Sequence, residues 1–217
     1  MIVRHGRTSW NAEARFQGHT DVPLDAIGRA QAAALAAALR DEPLDAAVAS
    51  DLSRARETAE AVLKGRGIPL VLDARWREMA FGAWEGLTWS EIAARFPESA
   101  GRPNEGGRFV TPTGGESFEA LCRRVRSAVI DLAAHGRPGS RVLVGTHAGP
   151  LHALLRVVLG QDEAAALNVR FEPASITRLR LRGAGATILA LNERVADEEG
   201  TLAGRSASAP PQNGERG

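Results

Sequence analysis

Two histidines of this chain stand in the same setting. His5 follows the short apolar run of residues 1–4 (MIVR), and His147 follows residues 141–146 (RVLVGT), just ahead of a helix-forming stretch. Ligand sites of open α/β sheets form at the carboxyl ends of parallel strands, so both imidazoles are expected in one crevice. Arg4 sits beside the first histidine, and Arg54 and Arg56 lie in SDLSRARETA, shortly after another expected strand end. A guanidinium stays charged at any working pH, and its planar fork satisfies two oxygens of a phosphate at once. A pocket holding two His and at least two Arg suits a dianion.

The elements that must position these groups follow from hydrophobic spacing. An Ala-rich helix is expected over 28–40 with Ile27, Leu35 and Leu39 on its packed face, and a strand over 46–50. A helix over 52–63 should stop at Gly65 and Gly67, and residues 70–72 form a third apolar run. Residues 76–86 read as irregular, 91–96 as a short helix ended by Pro97, and 100–115 as a Gly-rich loop. Apolar residues at 118, 121, 122, 125, 129 and 132 keep the helical period, so Cys122 belongs on a buried stripe. After the strand 141–146 comes a helix with Leu151, Leu154, Leu155, Val158 and Leu159 on one face. Strand then helix, repeated, means parallel strands with helical crossovers, an α/β fold. Thr177, Leu179 and Leu181 alternate with Arg178, Arg180 and Arg182, and a turn at 183–185 leads into the apolar run 187–191, which gives a closing hairpin. From about residue 197 the composition lacks large apolar side chains, so 196–217 is expected to be a disordered tail behind a single domain of residues 1–195.

Composition narrows the possible functions. The 217 residues carry 27 basic and 26 acidic side chains for a net charge of +1, which argues against a general surface for nucleic acid or anionic lipid. Cys122 is the one cysteine, too few for a disulfide or a thiolate metal cage. No run approaches the roughly 20 apolar residues of a membrane span, and the first residues lack a signal peptide's apolar middle. The expected location is the cytoplasm.

In order along the chain stand RHGRTSWN at 4–11, RFQGHTDVPLDAIGRAQA at 15–32, SDLSRARETA at 50–59, REMAFGAWEG at 77–86, GGES at 114–117 and THAGP at 146–150. Through these six blocks the sequence resembles the histidine phosphatase superfamily, which includes phosphoglycerate mutases and the broad-specificity and α-ribazole-type phosphatases. The resemblance implies a three-layer α/β/α fold of phosphoglycerate mutase type with a mostly parallel central sheet. It implies that His5 is the nucleophile forming a phosphohistidine, that Arg4, Arg56 and His147 surround the phosphoryl group, and that Glu78 is the general acid and base. Asn11 and Gln17 would be secondary phosphate or substrate contacts, and the backbone N–H groups from Ala148 onward would favour an anion at a helix start. No metal or other cofactor is implied. Taken alone, Arg56 also suits an i, i+4 pair with Glu60 on a solvated face. His152 reads as structural, His19 and His135 as solvated, and Trp10, Trp76, Trp84 and Trp89 as core rather than the floor of an apolar substrate pocket.

Mutases of this family resemble one another in a longer insertion after the acidic residue, bearing basic and tyrosine side chains. Here residues 97–115 are short and Gly-rich, Arg102 and Arg108 are the only bases among them, and the chain has no Tyr. Hydrolysis of a small phosphorylated metabolite is therefore the first expectation and mutase transfer the second. A non-catalytic phospholigand-binding protein is the third, disfavoured because mere binding has no use for Glu78. Three departures stand out. Arg7 replaces the usual Glu or Gln after RHG and should add positive charge at the pocket mouth, Ala148 replaces a Gly, and the start at Met1 leaves a short first strand. The assembly state is not fixed by the sequence, and a homodimer stays open.

Overall fold

A computed structural model describes residues 1–100, 111–159, 169–182 and 185–195. Its strands are β1 (Ile2–Arg4), β2 (Ala46–Ala49), β3 (Leu70–Leu72), β4 (Val142–Thr146), β5 (Ile176–Arg182) and β6 (Gly185–Glu193). They form one sheet in the order β3-β2-β4-β1-β5-β6. The first four run parallel, while β5 pairs antiparallel with β1 and β6 antiparallel with β5. The helices are α1 (Ser9–Ala12), α2 (Ala26–Ala38), α3 (Ser53–Leu63), α4 (Trp89–Arg95), α5 (Pro97–Ala100), α6 (Phe118–His135) and α7 (Ala148–Leu159).

Strand side chains alternate between faces, and each face is covered. Ile2, Val48 and Val144 point to a core with Phe118, Leu121 and Val125 of α6 and Leu151, Leu154 and Leu155 of α7. Their neighbours Val3, Ala47, Ala49 and Leu143 point the other way, against Leu35 and Leu39 at α2 and Ala59, Val62 and Leu63 of α3. The result is the expected α/β/α sandwich, with each fully buried leucine contributing about 1.5–3 kcal/mol of transfer free energy. Side-chain caps set the helix starts: Asp25 accepts from the Gly28 N–H at 2.7 Å, and Ser117 from the Ala120 N–H at 3.2 Å. Helix α2 also packs hard against the turn that follows His5. A Cβ on Gly28 would stand 1.9 Å from the Arg7 carbonyl, so only glycine admits the helix there.

Several expectations are corrected. Helix α2 lies two residues earlier than the spacing suggested, and Ile27 is 44% exposed because it sits off the line of Leu35 and Leu39. Leu159 is 43% exposed at the end of α7. Val71 and Leu72 are exposed because β3 is the outer strand. The stretch expected to be irregular carries 3-10 turns at Ala74–Trp76 and Gly82–Trp84. Most of the expected loop 100–115 and the expected tail 196–217 lie outside the described residues. Among the described residues no helix is long and apolar enough to cross a membrane.

Candidate active site

Sheet register alone brings the two histidines together. Arg4 of β1 lies opposite Thr146 of β4, and the His5 N–H donates to the Thr146 carbonyl at 2.9 Å. The next residues, His5 and His147, therefore leave the two strands side by side, with ring centroids 5.0 Å apart and planes at 60°. Both rings are buried, at 2% and 0% exposure.

Hydrogen bonds assign the tautomers. His5 Nδ1 lies 2.6 Å from the Gly6 carbonyl, which can only accept, so the proton is on Nδ1 and the lone pair of the neutral ring is on Nε2. Burial, then the charges of Arg54 and Arg4, hold His5 well below its ordinary pKa, against a smaller opposing pull from the Gly6 carbonyl. His147 is held low in the same way, by burial first and then by Arg54, His5 and Arg4. Its Nδ1 accepts from Arg54 Nε at 3.2 Å, and its Nε2–H donates to Ser50 Oγ at 2.9 Å.

Two guanidiniums flank this pair. Arg54 is fully buried and also donates to the carbonyls of Thr20 at 2.9 Å and Gly18 at 2.8 Å. Arg4 Nη1 donates to the Phe171 carbonyl, while its buried Nε has no hydrogen-bond partner among the described residues. A buried cationic donor left unpaired is costly, and an anion bound beside it would satisfy it. Glu78, 9% exposed, turns one carboxylate oxygen to the N–H groups of Met79 and Gly149, each at 2.9 Å, which seats the acid on the first turn of α7 beside His147. A cationic cluster with a neutral imidazole and a carboxyl group at its edge can bind, transfer and protonate a phosphoryl ester.

Arg56 is not in this cluster. Its side chain is 44% exposed, and it pairs with Glu60 at 3.8 Å on the outer face of α3. The reason is helical phase: Arg54, Thr58 and Val62 share the buried face, and two residues along the helix turns a side chain by about 200°. Asn11 stands half-buried with its carbonyl oxygen spent on the Thr8 N–H and hydroxyl, a capping box for α1. Gln17 is buried, with its Oε1 unpartnered among the described residues. Ala148 opens α7, but the Gly149 N–H there goes to Glu78 rather than lying open to an anion. Arg7 pairs with Asp25 at 2.8 Å, so the expected extra charge at the mouth is neutralised.

His152 packs edge-on against Phe171, with ring centroids 5.0 Å apart, and burial lowers it to about 4, so it is neutral at pH 7. Exposed His19 is not merely solvated, because its Nε2 donates to the Glu78 carbonyl at 2.9 Å. Trp76 and Trp84 are core, whereas Trp89 is 38% exposed.

Ser50 and the choice of Arg54 over Arg56 escaped the sequence reading, although the apolar face of α3 could have indicated Arg54. Arg124 escaped it as well. That guanidinium donates to the carbonyls of Arg75, Arg77 and Glu78 while Glu116 of GGES holds it at 2.7 Å.

Residues 1–194 match the family model described as histidine phosphatase superfamily (branch 1). The bifunctional protein Rv2228c of Mycobacterium tuberculosis is 34% identical over 192 residues; the match covers 88% of this chain, which spans only 52% of that relative. The adenosylcobalamin/alpha-ribazole phosphatase of Salmonella typhimurium is 33% identical over 193 residues, covering 89% of this chain and 95% of the relative. The mycobacterial glucosyl-3-phosphoglycerate phosphatase Rv2419c, solved with VO3, superposes with a TM-score of 0.78 at 30% identity, covering 88% of this chain and 97% of that one. Sequence and fold thus agree over the same residues that build the paired-histidine site, and the chain belongs to the histidine phosphatase superfamily.

Proposed function

We propose that this chain is a phosphomonoesterase that hydrolyses a small phosphorylated metabolite through a phosphohistidine on His5. The observation that carries the reading is the His5 ring itself: neutral, tied at Nδ1 to the Gly6 carbonyl, and set beside Arg4, Arg54 and His147. In the first step Nε2 of His5 attacks phosphorus, the bond to the leaving-group oxygen breaks, and Glu78 gives that oxygen its proton. In the second, Glu78 takes a proton from water, the water oxygen attacks phosphorus, the P–N bond breaks, and phosphate leaves. Arg4 and Arg54 stabilise the charge on the equatorial oxygens in both steps, each such donor contributing on the order of 10²–10³ in rate, while His147, its N–H engaged by Ser50, holds Arg54 from Nδ1.

The VO3 complex of the mycobacterial relative supports the reading, since that ligand is a phosphoryl mimic, and so does the phosphatase name of the Salmonella relative. The test is phosphate release from a panel of monoesters, run beside 3-phosphoglycerate interconversion with and without 2,3-bisphosphoglycerate. Hydrolysis is expected to exceed interconversion, with an acid-labile phosphoenzyme in the wild type and none in His5→Ala. Interconversion stimulated by the bisphosphate and faster than hydrolysis would make the chain a mutase; binding without either reaction would make it a phospholigand receptor.

A further inference from the structure

The carboxylate of Glu85 reaches into the loop that serves both halves of the site. Its Oε1 accepts from the N–H groups of His19 at 3.0 Å and Phe81 at 3.1 Å, and its Oε2 accepts from the N–H of Thr20 at 2.9 Å and the Thr20 hydroxyl at 2.6 Å. All of these partners are donors, so only an acceptor-only side chain satisfies them together; an amide would turn an NH2 group against one pair. The approach is close enough to dictate a neighbour. Gly18 has φ +54°, and a Cβ there would fall 2.1 Å from Glu85 Oε1.

The loop so held makes two contacts with the site. Its Gly18 and Thr20 carbonyls fix the Arg54 guanidinium, which in turn touches His147, and its His19 ring donates to the Glu78 carbonyl. Resting on the phosphatase reading above, we propose that Glu85 is a positioning residue that sets the phosphate-binding cation, Arg54, relative to the general acid, Glu78. It hydrogen-bonds to neither side chain, and it acts through the backbone of residues 18–20 and through its charge, which favours the charged form of Arg54.

The test measures the two halves separately in Glu85→Gln and in the milder Thr20→Val, which removes only the hydroxyl contact of an exposed residue. Calorimetric binding of inorganic phosphate, which needs no turnover, is expected to weaken about tenfold in Glu85→Gln and two- to threefold in Thr20→Val, in line with the loss of charged and neutral hydrogen bonds. Turnover of an alkyl phosphomonoester should fall further than that of 4-nitrophenyl phosphate, whose leaving group needs little protonation. Leu39→Val, a core change remote from the loop, serves as the stability control and should leave both the affinity and the ratio of the two turnovers at their wild-type values. Wild-type phosphate affinity and an unchanged ratio in folded Glu85→Gln and Thr20→Val would overturn the proposal. A wild-type chain that binds phosphate but hydrolyses neither ester would instead refute the phosphatase reading, and the affinity arm would still decide whether Glu85 holds Arg54.

Discussion

Arg54 Nε stands 3.2 Å from His147 Nδ1, and that contact ties a guanidinium from α3 to an imidazole from the end of β4. A guanidinium can only donate, so the contact keeps the adjacent ring nitrogen unprotonated and the ring neutral beside a cation. Arg54→Ala is expected to lower kcat/KM by about 10²–10³, the usual cost of one charge-stabilising donor. Arg56→Ala, on the exposed face, should stay within about twofold, since surface pairs such as Arg56–Glu60 contribute little. Steady-state kinetics of the two variants side by side decide between the two arginines.

Glu78→Gln should separate chemistry from binding. Loss of a general acid costs about 10²–10⁴ in turnover, and the effect should be largest for alkyl esters with poor leaving groups. Phosphate affinity is expected to hold, because Gln keeps an oxygen to accept from the Gly149 N–H. Unchanged turnover would remove Glu78 from the proton transfers.

The buried histidines make stability fall on the acid side. His5, His147 and His152 all have folded-state pKa values below the ordinary 6.5, His152 at about 4, with burial the leading cause each time. Below 6.5 the unfolded chain takes up protons that the folded chain refuses, so the histidine contribution is complete above that pH and is lost as pH falls through it. Each group contributes a limiting slope of about 1.4 kcal/mol per pH unit. Thermal unfolding should show Tm dropping most steeply from pH 6.5 to 5, below a shallower decline that starts near pH 8, because burial lowers the pKa of the Met1 amine from 8.0 to about 6. Glu85 extends the loss to lower pH. Burial opposes its charge, but the Thr20 hydroxyl and the N–H groups of His19, Phe81 and Thr20 win and hold its carboxyl below the usual value.

Arg124→Ala leaves the Glu116 carboxylate largely buried and without its bidentate partner, a change that costs roughly 3–5 kcal/mol when such a pair is broken on one side. It also frees the carbonyls of Arg75, Arg77 and Glu78. Urea unfolding should report the loss. Turnover measured well below the new midpoint should still be reduced, because the segment carrying Glu78 has lost its brace.

The charge on the transferring phosphoryl group is met here by Arg4 and Arg54 in the proposed route. Phosphate release should therefore be unaffected by prolonged dialysis against EDTA, measured as initial rate before and after. A loss of rate restored by added divalent cation would contradict that assignment.

Much of this protein was legible along the chain. The apolar runs ending in His5 and His147 announced two strand ends, and the period at 118–132 announced α6, because each signal is local: alternation and helical phase are properties of neighbouring residues. The choice between Arg54 and Arg56 was not local in the same way, since both suit a phosphate and only the face of α3 laid against β4 separates them. Ser50, Glu85 and Arg124 carry no signal of their own, because a serine, an acid and an arginine become partners of the site only when loops distant in sequence fold onto one another. Chain chemistry set which groups could handle a phosphoryl ester, and the tertiary packing decided which of them meet, because burial and hydrogen-bond geometry are determined by what the fold brings within about 3 Å.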